Sequence, residues 1–146
     1  MEMIRAFIDT SVILNKILKL SKEAEKVFSD PDINKYTNEY VLKELYHILK
    51  KQFKFSEIQV SYALDYVRDE CTILPTPEKN EFTKVKIHDK ADKPIVCSAF
   101  KHDLVLYIDD EKTYQDAKKY VQVVRIKKDN GSRVCEVTGS PLAIGQ

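Results

Sequence analysis

Short apolar runs alternate with longer amphipathic stretches from the N-terminus to about residue 126. Residues 3–8 read as a first strand, ending on Ala6-Phe7-Ile8. Thr10-Ser11 can cap the helix that follows, which carries Val12, Ile13, Ile17 and Leu18. Ser21 can cap a second helix, with Glu23 and Glu25 favouring its start, and Asp30-Pro31-Asp32 ends it. Residues 33–37 form a short second strand, and Asn38 can cap a helix to about Gln52. Ser56 opens another helix, to about Glu70. Residues 71–74 are a third strand stopped by Pro75 and Pro77. Residues 78–89 are charged and read as loop or short helix. A helix begins near Asp92, with Pro94 tolerated in its first turn, and runs to about His102. Residues 104–108 are the fourth strand, 111–120 a short helix and 121–126 the fifth strand. Strand and helix in this alternation predict an α/β domain with a parallel sheet.

Composition narrows the picture. At 146 residues the chain is long enough for one domain with a sizeable core. We expect that domain over residues 1–128 and a flexible tail over 129–146, where periodicity is lost. No apolar run approaches the ~20 residues of a membrane span, and the N-terminus lacks a signal-peptide layout. A cytoplasmic, non-membrane protein is therefore expected. The three cysteines, Cys71, Cys97 and Cys135, show no metal-ligand or redox spacing, and no activating partner stands near them in the sequence. A net charge of +1 gives no global attraction to nucleic acid, and only four of the 24 basic residues are arginine. Residues 1–130 contain no glycine, which excludes a P-loop and the glycine-rich dinucleotide fingerprint. Phosphate chemistry in this chain must run through side chains and a metal.

The candidate chemistry is acidic. Asp9 follows the first strand, and Asp109-Asp110 follows the fourth. In open parallel sheets ligands bind beyond the carboxyl ends of the strands, so these acids meet if the two strands are neighbours. A helix cap is the structural alternative for Asp9. Glu44 shares a helix face with Val41 and Ile48, on the border of the apolar stripe. Asp92 heads the stripe Ile95, Val96, Ala99, with Asp89 available as a competing cap. Of the last pair, one can cap the following helix while the other faces the cleft; Asp110 is preferred for the cleft, with Asp109 as the fallback. Burying carboxylates against apolar surface has a cost that something must offset, and a divalent metal bound by oxygen ligands would do so. Thr10 or Ser11 can orient Asp9, and Lys16 and Lys43 are candidate phosphate contacts.

The order strand-Asp, helix-Glu, helix-Asp, strand-Asp resembles the PIN domain family. The stretches that carry the resemblance are Phe7-Ile8-Asp9-Thr10-Ser11-Val12-Ile13-Leu14, Val41-Leu42-Lys43-Glu44-Leu45, Asp92-Lys93-Pro94-Ile95-Val96-Cys97-Ser98-Ala99 and Leu104-Val105-Leu106-Tyr107-Ile108-Asp109-Asp110. Ile108 departs from the Thr or Ser the family often has two residues before its last acid. The resemblance implies a single PIN-like domain with a central five-stranded parallel sheet flanked by helices. It implies a Mg²⁺- or Mn²⁺-dependent ribonuclease whose catalytic and metal-binding residues are Asp9, Glu44, Asp92 and Asp110. Small stand-alone members resemble the toxin halves of VapBC toxin–antitoxin pairs, which implies an RNA substrate, an antitoxin partner and a homodimer. A housekeeping RNA-processing nuclease and a catalytically silent RNA- or protein-binding module are the alternatives. An aspartate-nucleophile phosphatase would want a second Asp where Ser11 stands, and a response-regulator receiver would carry its acidic pair after the first strand.

Overall fold

The structure, a computed structural model, describes residues 3–129. Five strands, β1 (Ile4–Ile8), β2 (Ile33–Asn38), β3 (Thr72–Leu74), β4 (Val105–Ile108) and β5 (Val123–Arg125), form one sheet in the order β3-β2-β1-β4-β5. Every pairing is parallel. The helices are α1 (Thr10–Ile17), α2 (Lys22–Ser29), α3 (Glu39–Lys51), α4 (Glu57–Glu70), α5 (Lys93–Lys101) and α6 (Glu111–Ala117). The expected α/β class and five-stranded parallel sheet are thus observed. Phe7, Ile8, Leu106 and Ile108 from the central strands pack with Ile13, Leu45 and Ile95 from the helices into one core. Strands covered on both faces need such continuous apolar runs.

Strand order makes the site. The chain leaves β1 in one direction to build β2 and β3, then returns to the other side of β1 as β4. Ala6, Phe7 and Ile8 pair with Val105, Leu106 and Tyr107. A crevice opens where the direction reverses, beyond the carboxyl ends of β1 and β4. Asp9 and Asp109-Asp110 are the first residues past those ends.

Several caps sit where the sequence indicates. Ser21 accepts from the Ala24 N–H at 3.0 Å, and Asn38 accepts from the Val41 N–H at 3.0 Å. Ser56 and Gln59 form a reciprocal capping box. One expectation changes: α1 is not capped by Thr10 or Ser11. Asp9 holds the N-cap position, where its carbonyl accepts from Ile13 N–H at 3.1 Å, and both hydroxyls point elsewhere. Lys79–Lys84 forms a 3₁₀ turn inside the stretch left open as loop or short helix. Helix ends are closed without glycine: Lys19, Lys54 and Asp103 take positive φ of 58°, 58° and 54°. After β5 the chain returns to α2. Lys127 N–H donates to Glu23, and Asp129 N–H donates to the Leu20 carbonyl, each across 2.9 Å. Asp129 is therefore bound to the domain, and the rest of the expected tail lies outside the described residues.

Candidate active site at the β1–β4 crevice

Four segments bring their acids to this edge. Asp9 leaves β1 buried, with only 8% of its surface exposed. Although it occupies a helix N-cap position, its carboxylate makes no cap hydrogen bond. Ser11 instead donates to Asp9 Oδ2 at 2.8 Å. Ser11 Oγ also accepts from the Asp109 N–H at 3.3 Å, so one hydroxyl links the ends of β1 and β4. The neighbouring Thr10 is buried and donates across 2.6 Å to Glu44 Oε1, on the second turn of α3. Tyr40, one turn earlier on that helix, reaches Glu44 Oε2 at 3.4 Å. Each Glu44 oxygen thus faces a hydroxyl.

Asp92 takes the N-cap position of α5, again without a cap hydrogen bond from its side chain. Asp89 caps the preceding 3₁₀ turn by accepting from Ala91 N–H at 2.9 Å. Asp92 Oδ2 lies 2.6 Å from Thr113 Oγ1 on the first turn of α6. The same hydroxyl oxygen lies 2.8 Å from Asp110 Oδ2, and Asp110 caps α6 by accepting from Thr113 N–H at 2.8 Å. The expected division of labour at the acidic pair is therefore corrected. Asp110 both caps the helix and reaches toward Asp92. Asp109 turns away, accepting from Asn15 Nδ2 at 3.1 Å and lying 4.0 Å from the Arg125 guanidinium.

Comparison with known proteins gives fold relatives and no sequence relatives. No family model matches the chain, and no curated protein matches it. Among solved structures, VapBC2 from Rickettsia felis, bound to a DNA fragment from their promoter, is similar with a TM-score of 0.65 at 15% identity, over 86% of this chain and 100% of that one. VapBC-1 from nontypeable Haemophilus influenzae gives 0.60 at 19%, over 84% and 98%. The PIN domain endonuclease Utp24 gives 0.54 at 18%, over 86% and 90%. The fold is that of a PIN domain. At these identities the likeness is one of fold, and the chemistry has to be argued from this chain's own side chains.

The electrostatics of this PIN-domain crevice are those of carboxylates with too little positive charge. Burial pushes the Asp9 carboxyl up to about 7, against the pull of the Ser11 hydroxyl, and Asp92 and Glu44 push it further the same way. Burial also raises Glu44 and Asp92; Asp92 adds to the rise at Glu44, and Asp89, Asp110 and Asp116 add to the rise at Asp92. Tyr40 is pushed up to about 12 by burial and by Glu44, so it stays a hydrogen-bond donor. Asp110 runs the other way, lowered first by the Thr113 N–H. Among the described residues no Lys or Arg forms an ion pair with Asp9, Glu44, Asp92 or Asp110.

Those observations suit a hard divalent cation. The donors are all oxygens, the choice of Mg²⁺ and Mn²⁺ over softer metals. Among the described residues no three His, Cys, Asp or Glu side chains converge tightly enough to hold an ion alone. Mg²⁺ asks for less, since it keeps several waters and takes one or two carboxylates. The residues present fit such an ion, with Asp9 buried, Asp92 half-buried and neither in an ion pair with a Lys or Arg among the described residues.

Some expectations are redirected. Lys16 is committed to Glu25, 3.4 Å away, and to the face of the Tyr66 ring. Cys71 and Cys97 are buried, and burial raises both thiols, Cys71 to about 12. Neither supplies a thiolate; Cys135 lies outside the described residues. Sequence reading missed Thr113, Asn15 and Tyr40. Thr113 stands three residues after Asp110, an N-terminal helix position with no pattern to separate it from any surface threonine.

Proposed function

We propose that this chain is a divalent-metal-dependent endoribonuclease and the toxin of a VapBC-type toxin–antitoxin pair. The observation that carries the reading is the meeting of Asp9, Glu44, Asp92 and Asp110, from four separate segments, at the strand-order reversal of a PIN fold. Three hydroxyls, from Ser11, Thr10 and Thr113, hold them there. Asp9 and Asp92 would bind Mg²⁺ or Mn²⁺ directly, with Glu44 and Asp110 acting through water or a second ion. When bound, the ion supplies an acidified water and positive charge for the phosphoryl oxygens. The chain's own residues do the rest. Ser11 fixes the Asp9 carboxylate. Thr10 and Tyr40 fix Glu44, whose raised pKa suits it to take the proton of an attacking water. Asp92 and Asp110, turned toward each other by Thr113, keep the far side of the crevice negative.

Support for the toxin reading comes from the fold relatives named as VapBC assemblies. By analogy we assign an antitoxin partner, a homodimer and a cytoplasmic location. Among the described residues no helix is long and apolar enough to cross a membrane. A housekeeping RNA-processing role is the second reading; one fold relative, Utp24, is named as a PIN domain endonuclease and not as part of a VapBC pair. A silent binding module is disfavoured, because a buried, unpaired Asp9 opposes binding of a polyanion and is useful only with a cation.

The test is metal-linked stability, since an ion that binds only the native state stabilises it by mass action. The melting temperature should rise with millimolar Mn²⁺ and not with Na⁺ of equal ionic strength, and the rise should vanish in the Asp9→Asn/Asp92→Asn variant. No rise in the unmodified protein supports the silent module; a full rise in the double variant puts the ion elsewhere.

A further inference from the structure

Thr113 is buried, and its hydroxyl oxygen lies 2.6 Å from Asp92 and 2.8 Å from Asp110. A hydroxyl carries one hydrogen and can donate to only one of them. Asp110 Oδ2 already receives the Thr113 N–H at 2.8 Å, whereas Thr113 is the sole side-chain donor to Asp92 among the described residues. The hydrogen therefore goes to Asp92, and the lone pairs of Thr113 face Asp110. Three oxygens, Asp92 Oδ2, Thr113 Oγ1 and Asp110 Oδ2, thus lie together with one hydroxyl hydrogen, which bonds Asp92. This arrangement is short of positive charge and held in one orientation by a β-branched, buried side chain. The two carboxylates come from different helix starts, α5 and α6, and no other side chain joins them among the described residues.

We infer that Thr113 is a positioning residue, which orients Asp92 against Asp110 and thereby sets the affinity of this end of the crevice for a divalent cation. The inference rests on the metal reading proposed above. It makes the hydroxyl an outer partner of a metal ligand, a class whose loss weakens metal binding by about 10- to 100-fold. A threonine serving only to pack α6 would be replaced by valine at no cost to the cation.

The experiment is a Mn²⁺ titration followed by melting temperature, with Mn²⁺ electron paramagnetic resonance as a direct count of bound ion. Thr113→Val should retain the melting temperature of the unmodified protein in EDTA to within a few degrees, while its Mn²⁺ midpoint moves up by about 10-fold or more. Thr113→Ser, which keeps the hydroxyl, should return the midpoint to within about threefold. In an Asp92→Asn background, the valine substitution should move the midpoint little further, because Thr113 acts through Asp92. An unchanged midpoint in Thr113→Val, with normal Mn²⁺ binding by the unmodified protein, overturns the role of Thr113 alone. A Mn²⁺ response missing from the unmodified protein overturns the metal reading and this inference together. Should Thr113→Val fail to fold, Thr113→Ser decides: a midpoint displaced as far as in Asp92→Asn contradicts the hydroxyl's role.

Discussion

Asn38 donates to Ser98 Oγ across 2.8 Å, in the fully buried space between the helix that carries Glu44 and the helix that Asp92 heads. Its amide also reaches the Pro94 carbonyl at 3.2 Å, and its oxygen caps α3 through Val41 N–H. One side chain thus ends β2, starts α3 and fastens α3 to α5. The spacing between Glu44 and Asp92 depends on it.

Replacing Asn38 with alanine should be expensive. The cap is worth about 1 kcal/mol, and the two buried acceptors it leaves bring the total loss to about 3 kcal/mol. Urea unfolding measures it. Asn38→Asp keeps the cap acceptor but cannot donate, so it should not rescue stability. A loss well below about 1 kcal/mol in Asn38→Ala would show that water replaces the amide and that the two helices are held by packing alone.

The metal-free protein should weaken as pH rises. Asp9 is held near 7 when folded, above the ordinary aspartate value of 3.8. Between those values the native state keeps a proton that the unfolded chain gives up. Stability is therefore full below about pH 4, declines through pH 7 and is flat above it. Glu44 and Asp92 are shifted in the same direction. In EDTA the loss between pH 5 and pH 8 should be on the order of 2–4 kcal/mol, and Asp9→Asn should remove most of it. If Asp9→Asn declines with pH as steeply as the unmodified protein, Asp9 is not the group responsible.

Helix ends offer a further test. At the end of α1, Lys19 sits at φ 58° while Leu20 N–H reaches back to the Asn15 carbonyl at 2.8 Å. This is the turn in which glycine is usual, because a Cβ there is strained. Lys19→Gly should stabilise the protein by about 0.5–1 kcal/mol, the strain relieved less the entropy that glycine adds to the unfolded chain. Thermal melts in EDTA would show it, and a lower melting temperature would contradict the assignment of strain.

Those helix ends also show where the sequence was silent. Strands were legible because Ala6-Phe7-Ile8 and Leu104-Val105-Leu106 are continuous apolar runs, and helix starts because Ser21, Asn38 and Ser56 are strong caps. Lys19, Lys54 and Asp103 carry no stop signal in a glycine-free stretch, so the ends were set by tertiary packing. The four acids were visible as carboxylates against apolar positions. Their holders were not. Thr10 and Ser11 looked like caps, yet Asp9 had taken that position with its backbone. Thr113 meets Asp92 only because β4 lies beside β1, a contact between residues 21 positions apart with no local trace. Nothing in Asp109-Asp110 says that Asn15 and Arg125 will draw the first acid away.

Metal-dependent RNA hydrolysis by these four acids is put to the test by digesting total cellular RNA with the purified chain and mapping the ends of every new fragment. Cleavage should be abolished by EDTA, restored by Mn²⁺ and leave 5′-phosphate and 3′-hydroxyl ends. Asp9→Asn and Asp92→Asn should lose it most steeply, and Asp110→Asn by about 10- to 100-fold. Asp109→Asn should stay within about threefold of the unmodified rate, because Asp109 is turned toward Asn15 and Arg125 and away from the other acids. Cleavage that persists in EDTA, leaves 2′,3′-cyclic phosphates and survives Asp9→Asn would rule out a metal-dependent hydrolysis at Asp9.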